Sequence, residues 1–437
     1  MAFKIPDEML RPLKLTHGET EMLIEEAERI ISETLSVNEL FVVNNRHLPK
    51  DEWKHVKSKE NVQVFRARKT GQCSMIRSAS EGNCSSKDGR ARSNTAERTF
   101  LSSEDYGSAL TSQRSATSSH SDSSAGSSGS CNSANYRTTV GLDAEINRKK
   151  PADIPLMIAT GILPGIVEDV AFGALGHTEW LTRHRDAHLQ HEFAAVKILA
   201  TILRPTAEDP YQSLVVKWSA KSLGALSRMR DCVYIEANGI TTDSNGEKVA
   251  YSLVHSIDNI ARIPGFKHLD IVRVNISTCY ITRQYNQASI EVFSRGFADA
   301  GGNFAESLAS STYPEMVLSV VHVVDCAYIK KLIWLGHKKR QSNRAASPSS
   351  SANKAARYCR VCATNLTKFG SLIQTGVACG VCREEICSKC AVSKKLAVEA
   401  SSAKMKIKSV TCCVHCVIEA KQASTSEVAV ALMERTP

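Results

Sequence analysis

The sequence predicts an α+β protein: an antiparallel meander with helices before and after it, followed by a small cysteine-rich module. Three observations lead there. Six segments rich in β-branched and aromatic residues follow one another between residues 193 and 297, separated in places by turn-formers such as AEDP and TDSNGE. Helical periodicity flanks them near the N-terminus and at 315–335. Of 15 cysteines, nine lie between Cys359 and Cys416. With 437 residues and 42% hydrophobic content there is material for two or three domains. No fibrous period and no Pro- or Gly-dominated composition is present, which excludes collagen-like and wholly disordered classes. The formal net charge of +10 admits an anionic partner without choosing among membrane, phosphate and nucleic acid.

In chain order, residues 1–49 form an N-terminal region. Within it, 18–35 places Met22, Leu23, Ala27, Ile30, Ile31 and Leu35 on one helical face with Glu and Arg opposite, a packing helix. MAFKIPDEMLRPLK lacks the apolar core of a secretory signal, so a cytoplasmic, reducing setting is expected. The main domain spans 50–340 and opens with a short strand at Val62, Val64 and Ala67. It is interrupted at 74–135 by a Ser-rich stretch that lacks the apolar surface to offset its ordering entropy, a disordered insertion. Strands are expected at Phe193–Leu203, Ser213–Ser219, Arg230–Ala237, Val249–Ile257, Ile271–Thr282 and Ser289–Phe297.

A helix over 315–335 should begin after Pro314, with Ser311 or Thr312 near its cap. His322, Asp325, Lys330 and Lys331 interrupt its apolar run, which favours a buried or groove-covering helix over a transmembrane one. A flexible polar linker (341–356), the cysteine module (357–420) and a loose tail (421–437) complete the chain.

The module holds four C-x2-C pairs: Cys359 with Cys362, Cys379 with Cys382, Cys387 with Cys390, and Cys413 with Cys416. That spacing lets two thiolates on a tight turn reach one tetrahedral ion, and eight thiolates make two closed zinc sites with no open position. Closed sites are structural, their metal supplying folding energy to a small core. Cys412 is an alternative to Cys413 in the last pair.

His177, His184, His188 and His191 cluster in HTEWLTRHRDAHLQHE. His184 and His188 have helical spacing for a shared metal, but the stretch is not H-E-x-x-H and reads as a solvated polar segment. No G-x-S-x-G elbow, P-loop or G-x-G-x-x-G occurs in a suitable context, so no enzyme is expected. Nucleic-acid binding has only charge in its favour and is not expected.

The order and gaps of the cysteines resemble the FYVE zinc finger, as does CREEICSKCAVSKK around the third pair. The resemblance implies interleaved ligation: Cys359, Cys362, Cys387 and Cys390 on one zinc, and Cys379, Cys382, Cys413 and Cys416 on the other. FYVE fingers that bind phosphatidylinositol 3-phosphate carry a basic double-His motif and a Trp-x-x-Asp. Here those places read QTGVACG and ANKAARYC, so headgroup-specific recognition is not carried over. Attraction to an anionic membrane, at the periphery of endosomes, remains an expectation. From Lys354 to Lys408 eleven Lys/Arg face three Glu, and Leu366, Phe369, Leu372 and Ile373 lie in the loop between the first two pairs. A RING-like ubiquitin ligase is the more distant alternative, because RING fingers share the interleaving but space the central pair more closely than Cys382 and Cys387.

Residues 50–340 resemble the START lipid-transfer domain in three stretches in order. These are WKHVKSKENVQVFRARK, VKWSAKSLGALSRMRDCVYIEANG with its Arg230–Asp231 dipeptide, and SRGFADAGGNFAES with Asp299, Gly301 and Gly302. A START-like domain followed by a FYVE-like finger is similar to an arrangement abundant in oomycetes. The resemblance implies a helix grip, a curved antiparallel sheet around a long C-terminal helix, enclosing an apolar lipid. Val317, Val320, Val321 and Val324 would then line the cavity or fill a solid core. Arg230 and Asp231 would meet a headgroup or form a structural ion pair. The function expected is lipid binding or sensing with a zinc module for membrane or protein attachment. The alternative is a zinc-finger adaptor whose START-like domain holds no ligand.

Overall fold

The computed structural model describes residues 9–68, 144–191, 193–223, 227–257, 263–302, 306–345, 358–366, 376–401 and 404–433. The Ser-rich insertion, and Phe369, Leu372 and Ile373 of the finger loop, lie outside the described residues.

Helix α1 (His17–Val43) starts at a capping box: Glu19 N donates to Thr16 Oγ1, and Thr16 N donates to Glu19 Oε2 at 2.7 Å. The apolar face expected over 18–35 continues through Val37 to Phe41, which is why the helix runs eight residues further. Next come β1 (Trp53–Lys59) and β2 (Val62–Ala67), a hairpin where one strand was expected, and a short α2 (Ala144–Lys149). Then follow β3 (Met157–Pro164), α3 (Val167–Ala174) and α4 (Glu179–His188). Six long strands occupy the six expected places: β4 (Ala195–Leu203), β5 (Ser213–Ser222), β6 (Met229–Thr242), β7 (Lys248–Ser256), β9 (Asn275–Asn286) and β10 (Ser289–Asp299). A two-residue β8 (Val272–Arg273) runs parallel to β6.

All other pairings are antiparallel, in the order β1-β2-β3-β10-β9-β7-β6-β5-β4. Side chains alternate across the sheet. One face packs Leu214, Val216, Trp218, Ile235, Ile281 and Phe293 against α1. The other packs Val62, Val64, Ala159 and Val292 against α3 and the C-terminal helices. This is the predicted α+β class, a large antiparallel sheet holding a long C-terminal helix.

That helix differs in detail from its expectation. It begins earlier, as α5 (Glu306–Leu318), so Pro314 falls inside. Proline removes an N–H and crowds the carbonyl one turn back. Five residues further on, a 3₁₀ turn at Ser319–His322 interrupts the helix, and Ser319 Oγ donates to the Met316 carbonyl at 2.7 Å. α6 (Val323–Ala345) then continues into the first residues of the expected linker, whose remainder is outside the described residues. Among the described residues no helix is long and apolar enough to cross a membrane. α3 lies so close to α6 that a Cβ on Gly173 would run into the Val323 carbonyl oxygen.

The expectation of a solvated stretch at the histidines is corrected. Thr178 caps α4, its side chain accepting from Leu181 N at 3.2 Å, and the helix buries Leu181, His184, Arg185 and Asp186. Polar residues are inside because the sheet face they meet is itself polar.

The cysteine module contains the two-stranded sheets β11 (Val377–Ala378) with β12 (Glu385–Ile386) and β13 (Ala391–Ser401) with β14 (Lys404–Cys413). It ends in α7 (Val414–Gln422) and α8 (Thr425–Met433). It docks on the main domain: Ala397 N donates to His188 Nε2 at 3.1 Å, and Lys339 pairs with Glu419 at 2.6 Å. The stretch expected as a loose tail instead holds α8, which buries Val428 and Ala429. Thr425 Oγ1 donates at 2.8 Å to Asp169 Oδ1, the atom that also binds Lys331 at 2.7 Å.

Candidate functional site

The first two cysteine pairs are built alike. After Cys359–Cys362, Ala363 takes a positive φ of 56°, its N–H bonding back to the Cys359 carbonyl, while Cys359 N donates to Thr364 O. After Cys379–Cys382, Arg383 has φ 69°, and the same two bonds join Arg383 N to Cys379 O and Cys379 N to Glu384 O. Each turn therefore presents two sulfurs from a tight backbone loop with inward-pointing N–H groups. The third pair straddles a 3₁₀ turn at Ser388–Cys390. The fourth straddles the N-terminus of α7, where Cys413 caps the helix and accepts from Cys416 N at 3.3 Å.

Backbone bonds decide which turns meet. Arg360 N reaches Glu385 O, just before the third pair, and Gly380 N reaches Thr411 O, just before the fourth. The structure accordingly gathers Cys359, Cys362, Cys387 and Cys390 into one group and Cys379, Cys382, Cys413 and Cys416 into another. Within each, all sulfurs lie within 4.8 Å of one another. Either group could hold one metal ion, and among the described residues no other His/Cys/Asp/Glu cluster does so. Cys412 is buried outside both groups, its thiol directed to the Val410 carbonyl.

The electrostatics suit a cation. Burial pushes the Cys379 thiol up, but N–H groups of Cys382, Cys413 and Val381 outweigh it and hold it at about 7. Cys359 is held at about 6 in the same way, by N–H groups of Cys387, Cys362 and Val361. Their partners move oppositely: Cys382 rises to about 11 and Cys390 to about 12, from burial first and then from the neighbouring thiols. Four thiolates cannot ionise together without a positive ion between them; a divalent metal removes that repulsion. Soft sulfur-only donors in a closed set of four suit zinc.

The main domain contains a second chemical feature, which the sequence reading missed. On β5 and β6, facing the helices, Lys217 and Glu236 are fully buried. Lys217 Nζ donates to Glu236 Oε1 (2.8 Å), Thr182 Oγ1 (2.8 Å) and the Gly176 carbonyl (2.7 Å). Arg185 of α4 binds both Glu236 oxygens at 2.7 and 3.1 Å. Burial would raise the Glu236 carboxyl, but Arg185 and Lys217 hold it down at about 2. Lys330 of α6 lies beyond, donating to the carbonyls of Phe172, Gly173 and Leu175 at the end of α3. The available signal was Lys217 at the centre of an apolar strand, VVKWSA, which strict alternation places opposite Val216 and Trp218.

Val317, Val320, Val321 and Val324 are buried in the apolar cluster between sheet and terminal helices, where a Cβ on Gly165 would meet Val324 Cγ2 at 2.8 Å. Asp231 is not brought to them. It lies on the α1 side, accepting from Arg273 (2.9 Å twice) and Trp218 Nε1 (2.8 Å). Arg230 donates to the carbonyls of Ala300 and Arg228 at 3.1 and 2.8 Å. Both therefore bond to protein groups at the start of β6.

No protein-family model matches the sequence, and no curated protein sequence matches it. Among solved structures, the human StAR-related lipid transfer protein 5 is similar at 10% identity and a TM-score of 0.34, covering 68% of this chain and 96% of that one. The lipid transfer and protein localization domain of human StarD13 (DLC2) aligns at 11% identity and 0.32, covering 72% and 98%. A STAR-related lipid transfer protein fragment from Xanthomonas axonopodis aligns at 12% identity and 0.33, covering 63% and 99%.

Proposed function

We propose that this chain is a non-enzymatic lipid-binding or lipid-sensing protein, in which a START-like unit carries a two-zinc, FYVE-like attachment module. The observation that carries the lipid reading is the apolar seam between sheet and terminal helix. Val317, Val320, Val321 and Val324 share one buried cluster with Val62, Val64, Ala159 and Val292 there, in the place where the START resemblance puts a ligand. A buried acyl chain gains about 0.8 kcal/mol per methylene, so a chain of about sixteen could be held by roughly 13 kcal/mol before ordering costs. The two cysteine quartets would bind zinc as structural ions, giving the module its folding energy and presenting no open coordination position for chemistry. Attachment to an anionic membrane surface fits the module's basic composition; specific recognition of phosphatidylinositol 3-phosphate is not part of the proposal.

A second reading has its own support: an adaptor whose START-like unit is filled. Lys217, Glu236 and Arg185 occupy part of the interior with a satisfied ionic network, a poor surface for a hydrocarbon. Incubating the full chain with mixed-lipid vesicles, re-isolating it and extracting bound lipid separates the two. Stoichiometric lipid supports carriage; none moves the conclusion to the adaptor.

A further inference from the structure

Where the two halves meet, a cleft of about 310 Å³ opens between α4, α6, β13 and α7. Its charged lining residues are Lys394, Lys395 and Lys421, against one acidic residue, Asp325. Lys421 also stands over the Tyr328 ring, 5.1 Å from its centre. No carboxylate pairs with Lys394, Lys395 or Lys421 among the described residues.

Gln190 and two imidazoles, His188 and His322, add to the polar lining, and the imidazoles' neighbours fix their tautomers. Ala397 N–H, which can only donate, points at His188 Nε2 (3.1 Å); the Lys59 ammonium, also donor only, points at His322 Nε2 (2.9 Å). Both rings are therefore neutral and carry their hydrogen on Nδ1. Burial, acting first, lowers both imidazoles in the same sense. The floor is apolar, with Ile329 and Leu332 of α6 and Val417 of α7. The cleft thus combines an excess of donors and positive charge with an apolar base, at the lower end of the size range of small-ligand sites, about 300–1,000 Å³.

We propose that this cleft binds a phosphate monoester, borne by a lipid headgroup or by a small soluble molecule. A monoester is dianionic and offers three acceptor oxygens to convergent donors, while its carbon body suits the floor. The site needs both halves of the protein, since His188 and His322 come from the main domain and the lysines from the metal module. Its occupancy joins them. This goes beyond the lipid reading of the interior and does not depend on it.

The test uses the zinc-loaded full chain in phosphate-free buffer. Calorimetry with glycerol 3-phosphate probes the soluble source. Sedimentation with phosphatidylcholine vesicles containing phosphatidic acid, against vesicles with equal phosphatidylserine, probes the lipid source. Binding of either monoester should fall about twenty-five-fold in K394Q/K395Q, at about fivefold per lysine, and about fivefold in K395Q. Calorimetric binding of glycerol 3-phosphate should not change in K406Q/K408Q, whose lysines do not line the cleft. Unchanged zinc content in each variant establishes that the module is intact. The proposal is overturned by absence of monoester binding, by equal binding to phosphatidylserine, by equal losses in the two double variants, or by tighter binding of a phosphoserine peptide.

Discussion

Replacing Glu236 by glutamine keeps the shape of the buried network and one carbonyl acceptor but removes the charge that Lys217 and Arg185 share. Two routes give the cost. Removing one partner of a buried ion pair costs about 3–5 kcal/mol, because the remaining charge is left uncompensated. Holding the carboxyl at about 2 instead of 4.5 corresponds to roughly 3 kcal/mol, at 1.36 kcal/mol per tenfold change in acidity. Both place the loss near 3 kcal/mol. Its pH dependence has a definite sign. The folded-state value is depressed, so the stabilisation is fully present above pH 4.5 and is lost as pH falls from 4.5 towards 2. Urea unfolding of the zinc-loaded chain at pH 7, followed by tryptophan fluorescence, should show the midpoint falling by about 1 M or more. A loss below about 1 kcal/mol would refute the reasoning, since Lys217 and Arg185 would then not need this carboxylate.

Further expectations follow from the same geometry. Cys413→Ser should reduce zinc from two ions per chain to one by metal analysis, while Cys412→Ser should leave two, because only Cys413 lies in a sulfur quartet. Gly173→Ala should lower stability by about 2–4 kcal/mol in thermal unfolding, since the new methyl meets a backbone carbonyl of α6 that cannot turn aside. Asp169→Asn leaves Lys331 buried and weakens the bond to Thr425. A loss of about 3 kcal/mol and faster proteolytic release of the α8 segment are expected.

The strands were legible because β-branched runs and turn sequences state their boundaries locally, and five of the six expected starts lie within two residues of those observed. The sulfur pairs were legible for a similar reason, since C-x2-C is a contact within one turn. What was hidden depends on distant partners. His184 and Arg185 read as solvated because nothing near them in sequence announces that Glu236 and Lys217 await them on β5 and β6. Pro314 suggested a helix start, yet α5 begins at Glu306 and the break comes a turn later. The cleft at the domain joint was invisible for the same reason: His188, His322 and Lys395 meet only after two units dock.

Native mass spectrometry of the full chain, purified and then incubated with mixed-lipid vesicles, tests the central claim most directly because it counts ions and ligands together. The account predicts a species heavier than the bare chain by two zinc ions and by one lipid, with both zinc ions persisting when the lipid is stripped. A chain with one zinc or none, or with two zinc ions and no lipid adduct, would contradict it.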